Sequence, residues 1–150
     1  MISDSPPERD LEWSIEGIKA TYKYLKKIFD FLKNDFTFIL EVSDKEVKNF
    51  SEEEIKIFKI SQKTIFEYTD DIKNYRFNTA VAKLREYSNV LQKTSLNKTL
   101  KYYCWSIYLR LISIITPHYC EEIASHSGFD KFVSELDWPV IDKDLSLIHI

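Results

Sequence analysis

Glycine is almost missing from this sequence, with two residues in 150, and proline is scarce at four. So few turn formers exclude a fold of many short strands and hairpins and point to an all-α chain. Cysteine is equally sparse: Cys104 and Cys120 form no C-x-x-C pair and both fall in apolar helical contexts, so reduced thiols are expected rather than a disulfide framework. No charged-then-apolar signal pattern opens the sequence, and the expected location is cytoplasmic. No G-x-G-x-x-G or P-loop is present to cradle a nucleotide phosphate. A membrane span is missing too. The most apolar stretch, Tyr102 to Ile115, covers about 21 Å as a helix against the roughly 30 Å of a bilayer core.

That stretch carries one charge, Arg110, so nearly every face of a helix drawn through it is hydrophobic, which assigns it to the middle of a bundle. At Thr116-Pro117-His118 the helix must kink or restart. Pro117 cannot donate to Ser113, but it can open a new helix at its first position with Thr116 as the cap. Upstream, Ile18, Tyr22, Leu25, Phe29 and Leu32 recur at helical spacing, with Gly17 explained by close packing of a neighbour. Residues 33–50 have no sustained period and read as a loop whose Phe36 and Phe38 to Leu40 fold back onto the bundle. Ser51 and Glu54 have the capping-box form, opening a helix through Ile55, Phe58, Ile65, Tyr68 or Thr69, and Ile72. Asn78 reads as the N-cap of the next helix, with the stripe Ala80, Leu84, Tyr87 and Leu91.

The net charge of −3 hides an asymmetry. Ile72 to Cys120 holds eight Lys or Arg against the single acid Glu86, a local +7, and the rest of the chain sums to −10. A basic middle between acidic ends suits a polyanion, and equally suits a solvated face with no ligand. His118 and Glu122 share a helical face, but no further ligand lies at motif spacing, so no metal site is expected; His118 reads as a structural residue at the elbow, donating to a carbonyl or stacking. Tyr102, Tyr103, Trp105 and Tyr108 stand among lysines as a base-stacking surface would, yet at this spacing they read first as core.

Three ordered motifs carry a resemblance. Ser5-Pro6-Pro7-Glu8-Arg9-Asp10-Leu11-Glu12-Trp13, followed by Gly17-Ile18 and Lys23-Tyr24-Leu25, is the first. Asn74-Tyr75-Arg76-Phe77-Asn78-Thr79-Ala80-Val81-Ala82, with Phe-Asn-Thr-Ala at its centre, is the second, and Pro117-His118 with Glu121-Glu122-Ile123 is the third, with Trp138-Pro139 behind it. Together they resemble leucyl-tRNA synthetases, in the helical anticodon-binding domain that follows the KMSKS loop. The sequence departs from that family at Ala124, where a tryptophan is usual, and at Ser61, near which a histidine is common. The resemblance implies a bundle of about five helices at residues 12–145, a connector from a missing catalytic core at 1–11 and a non-family tail at 146–150.

The same resemblance implies tRNA(Leu) as partner, a monomer, no membrane, and leucine attachment using ATP and Mg²⁺ in the full-length enzyme. No cofactor is expected on this chain itself. HIGH and KMSKS loops are not found here, so the isolated chain is expected to be inactive. Candidate RNA contacts are Arg76, Lys83, Lys98 and Lys101, with packing as the competing role for the Phe77 segment. A helical protein-interaction module and a valyl- or isoleucyl-type synthetase remain as alternatives, the second opposed by the Ser-Pro-Pro lead.

Overall fold

The computed structural model describes residues 5, 8–10 and 13–141. Most of the connector and the whole 146–150 tail lie outside the described residues. In order come α1 (Ile15–Leu32), α2 (Asp44–Val47), α3 (Glu52–Lys73), α4 (Phe77–Lys93), α5 (Lys98–Ile112), α6 (Pro117–His126) and a 3₁₀ turn (Val133–Glu135). Five are long helices, α2 is a single turn, and no strand occurs among the described residues.

Helix α5 is the axis. Every residue from Tyr102 to Leu109 is buried, and Trp105, Tyr108, Leu109 and Leu111 are fully so. Burying a side chain of this size stabilises by about 1.5–3 kcal/mol, which makes α5 the main apolar contributor. Helix α3 opens with the expected capping box: Ser51 N–H donates to Glu54 Oε2 at 2.9 Å, and Glu54 N–H donates to Ser51 Oγ at 3.2 Å. Glu54 Oε1 also accepts from Asn97 N and Nδ2 (2.8 and 2.6 Å), tying the start of α3 to the start of α5. With a short turn reversing the chain between α3 and α4, these three helices run up, down and up. Helix α1 lies antiparallel to α5, since Tyr24 meets Tyr108 (O···O 2.8 Å), Phe31 packs on Trp105 (5.5 Å) and Tyr102 donates to Asp35 (2.6 Å).

Helix α6 restarts at Pro117 and closes the end of the bundle, where Tyr119 donates to the Leu25 carbonyl at 2.9 Å. Phe36, Phe38 and Phe50 from residues 33–50 are buried, whereas Leu40 stays exposed; α2, with its own Ser43–Glu46 capping box, interrupts that segment. The segment after α6 lies across the bundle, with Phe129 stacked on Phe38 at 4.3 Å and Trp138 Nε1 donating to Thr69 Oγ1 at 2.9 Å.

Several local expectations are corrected. Ile18 and Tyr22, read as core, are 41% and 65% exposed, and with Trp13 and Ile15 they form an uncovered apolar ridge on the first half of α1. No neighbour crowds Gly17: an added Cβ would meet only Ser14, whose Oγ accepts the Gly17 N–H. Asn78 does not cap α4. The cap position falls two residues earlier, at Arg76, and Thr79 Oγ1 donates to the Arg76 carbonyl. Thr116 occupies the cap position of α6, but its hydroxyl turns back to the Ile112 carbonyl instead of serving the new helix.

The two left-handed residues among those described, Tyr75 (φ 58°) and Gly128 (φ 70°), close helices in the same manner. After α6, Phe129 N–H donates to Ala124 O and Gly128 N–H to Ser125 O; after α3, Arg76 N–H donates to Asp71 O and Tyr75 N–H to Ile72 O. Both are the paired six-to-one and five-to-two hydrogen bonds of the Schellman motif.

Candidate nucleic-acid interface

The eight basic side chains of the +7 segment do not share one face. Arg76 and Lys83 converge on Asp71, with Nε 2.8 Å from Oδ1 and Nζ 2.6 Å from Oδ2. The Asp71 side chain is only 3% exposed. Burial alone pushes its carboxyl pKa up, but the hydrogen bonds from Lys83 and Arg76 outweigh this and hold it below the usual range. Arg76 reaches Asp70 as well, so two cations here face two carboxylates. Arg85 covers the Tyr24 ring at 5.2 Å and donates to Thr21 Oγ1 at 3.1 Å. Arg110 donates to the Asp137 carbonyl from both Nε and Nη2, and burial lowers its pKa from the ordinary value.

Among the described residues Lys73, Lys93 and Lys101 make no ion pair with a carboxylate, and Lys98 has only a long, exposed one with Asp35 at 3.5 Å. Three of them gather where α4 ends and α5 begins. Lys93 is the last residue of α4, Lys98 the first of α5, and Lys101 lies one turn further on. Lys98 Nζ sits 5.4 Å from the Tyr102 ring centroid and Lys101 Nζ 5.0 Å from that of Phe31, so the stems are braced by rings while the charges stay at the surface. The counter-charges at this corner are Asp35, 3.5 Å from Lys98 and 68% exposed, and Glu54, whose Oε1 accepts from the Asn97 cap of α5. The Tyr102 hydroxyl and Asp35 hold the Lys98 ammonium above its ordinary pKa.

The first turn of α5 contains no acidic residue, whereas that of α3 has Glu52, Glu53 and Glu54. The lysines at the head of α5 are placed against the helix dipole, and the acceptors already at this terminus are Asn97 Oδ1 on the Leu100 N–H and Glu54 Oε1 on the Asn97 N–H. Arg76 and Lys98 stand at opposite ends of α4, about 25 Å apart at 1.5 Å per residue. The four predicted contacts thus form two pairs, one held by Asp71 and one facing outward.

Residues 54–149 match the family model described as the anticodon-binding domain of tRNA ligase. The chain belongs to that family. Similar full-length proteins include the leucine–tRNA ligases of Orientia tsutsugamushi (37% identical over 144 residues), Dinoroseobacter shibae (34% over 145) and Jannaschia sp. (31% over 143). These alignments take in 93–97% of this chain but only 16–17% of the relatives, so the chain spans about a sixth of their length. The fold is shared with the LeuRS of Agrobacterium radiobacter K84, solved as a ternary LeuRS–tRNA–LeuAMS complex. That match has a TM-score of 0.82 at 23% identity over 96% of this chain and 19% of the other.

In this anticodon-binding domain the aromatic side chains of α5 are core, since Tyr102, Tyr103, Trp105 and Tyr108 are all buried. Exposed aromatics beside the basic residues include Phe31, 40% accessible under Lys101, and Tyr75, 69% accessible on the α3–α4 turn, which is not among the contacts expected from the sequence. His118 is exposed and neither donates nor stacks among the described residues; it is His126 that approaches Glu122, at 3.3 Å. No group of three His, Cys, Asp or Glu side chains comes together among the described residues. Burial pushes the Cys104 and Cys120 thiols up to about 11 and about 12, far from the reactive thiolate range. No helix of the described residues is long and apolar enough to cross a membrane.

Proposed function

We propose that the chain is the anticodon-arm-binding part of a leucine–tRNA ligase and holds tRNA(Leu) by phosphate contacts at the α4–α5 corner. The observation that carries the contact surface is the opening of α5: Lys98 and Lys101 stand on a first turn with no acid of its own, and the Glu54 carboxylate of α3 is taken up by the Asn97 cap. Lys93 extends that surface, while Arg76 and Lys83 serve the fold through Asp71. Leucine has six codons, so a domain of this kind gains little by reading one anticodon, and shape with phosphate contact fits better.

Leucine activation with ATP and Mg²⁺ belongs, in this reading, to a catalytic core in the same polypeptide. The uncovered ridge of Trp13, Ile15, Ile18 and Tyr22 on α1 supports it, because an apolar stripe at helical spacing suits a neighbouring domain. The protein then works as a cytoplasmic monomer, and the 150-residue chain alone gives no leucine-dependent ATP–pyrophosphate exchange. Residues 1–11 act as the connector from that core. The test is a titration of the isolated chain with tRNA at several salt concentrations. Weak binding, with Kd about 10⁻⁴ to 10⁻⁶ M at physiological salt and a steep salt dependence, is expected. Salt-independent binding, or none at low salt, overturns the assignment.

A further inference from the structure

The two Schellman turns of this chain are an internal comparison. Their backbone hydrogen bonds correspond one for one, and their left-handed residues differ by only 12° in φ. One holds Gly128, the residue this position prefers, because a Cβ there crowds the backbone. The other holds Tyr75, one of the more costly choices. Nothing inside the turn needs the ring: it is 69% exposed, and its one aromatic contact is edge-on to Phe77 at 6.1 Å. The turn is already fastened without it, through the Arg76 side chain on Asp70 and Asp71 and the Asn74 amide on the Asp70 carbonyl (2.8 Å). A left-handed tyrosine therefore reduces stability while its aromatic face is presented to the outside.

The surroundings of that face select its partner. Lys73, Asn74, Arg76 and Thr79 on the same turn are all exposed and polar, so apart from the edge of Phe77 the ring is not part of an apolar patch such as the α1 ridge. Asp70 and Asp71 balance Arg76 and Lys83, leaving Lys73 as the one surplus charge, too little to hold a duplex by phosphates alone. A lone aromatic face beside a cation suits a planar, unpaired nucleobase, and stacking of this kind tolerates any base because each has a π-face. We propose that Tyr75 is an RNA-stacking residue, which receives an unpaired base of the bound RNA on the α3–α4 turn. The inference rests on the tRNA-arm reading and adds to it a contact separated from the α4–α5 corner by most of the length of α4.

The test uses opposite signs. Tyr75→Gly relieves the left-handed strain and should raise Tm by about 2–4 °C in a chain of this size. The same change should weaken binding of an RNA hairpin with an unpaired loop by roughly 5- to 150-fold, the range for losing one stacked base. Binding of the same stem closed as a blunt duplex should not change. Tyr75→Phe keeps the face and should bind the hairpin as wild type does. Hairpin affinity of Tyr75→Gly within about twofold of wild type overturns the proposal and leaves the ring to a protein contact. A fall in Tm also overturns it, because the ring would then be structural. If the wild-type chain binds neither hairpin nor tRNA, the tRNA-arm reading itself falls; if it binds both and only Tyr75→Gly is silent, that reading stands and this inference alone fails.

Discussion

The basic pair on Asp71 and the basic pair at the head of α5 come from the same +7 segment and have opposite fates. Arg76 and Lys83 close on a carboxylate that is 3% exposed, within 2.8 Å. Lys98 and Lys101 lie over the rings of Tyr102 and Phe31, and their nearest acid is an exposed Asp35 3.5 Å from Lys98. The same residue types therefore serve as an internal clasp at one end of α4 and as an outward charge at the other. Local net charge along a sequence counts both alike, but only the second kind is available to an anion.

Both pairs depend on α5 staying where it is, and the largest effect should come from its core. Leu111→Ala should cost about 2–5 kcal/mol in denaturant unfolding, since Leu111 is fully buried. A change under about 0.5 kcal/mol would mean that the helix lies at the surface and that the comparison has no frame. Asp71→Asn should cost about 1–3 kcal/mol by removing two charge-assisted hydrogen bonds. It should also tighten RNA binding at low salt, because Arg76 and Lys83 are released; unchanged affinity would show that the clasp was never masking them.

Reversing Lys98 and Lys101 to Glu should change Tm little and flatten the plot of log affinity against log salt by up to about 1.8 in slope, two contacts at 0.9 each. Reversing Glu52 and Glu53 to Lys at the head of α3 should not weaken binding. If both double variants follow net charge alone, the α5 corner is not a face. The smallest effect concerns pH. The folded-state pKa of Asp71 is held below its unfolded value near 3.9, so its contribution is complete above about pH 4 and fades as pH falls through the folded value. Acid unfolding of Asp71→Asn should therefore be shallower below about pH 4 than that of wild type, as followed by circular dichroism.

The legible parts of this fold are those decided by neighbours in sequence. Helix α5 is hydrophobic on every face, Ser51 and Glu54 are three residues apart, and Ala80, Leu84, Tyr87 and Leu91 repeat at helical spacing, so each could be placed without a partner. Ile18 and Tyr22 fail because periodicity says which residues share a face and not whether anything covers it. Asn78 fails because α4 follows the left-handed turn at Tyr75 so closely that Arg76, two residues ahead of the expected cap, takes the cap position. The division of the basic residues was hidden for the same reason as the ridge. Lys83 finds Asp71 twelve positions away and Arg110 finds Asp137 twenty-seven away, distances at which only the folded chain selects partners.

The three tryptophans occupy three different solvents, which gives the chain a built-in optical readout. Trp105 is fully buried against Phe31 and Tyr108, Trp138 is partly buried with its N–H on Thr69, and Trp13 is 69% exposed at the head of the α1 ridge. An aqueous quencher such as acrylamide should extinguish the red-edge emission of Trp13 first, while the blue emission of Trp105 persists until α5 is unpacked. Anything that docks on the ridge should shield Trp13 and leave the Trp105 signal untouched, so the occupancy of one face and the integrity of the core can be followed in the same cuvette.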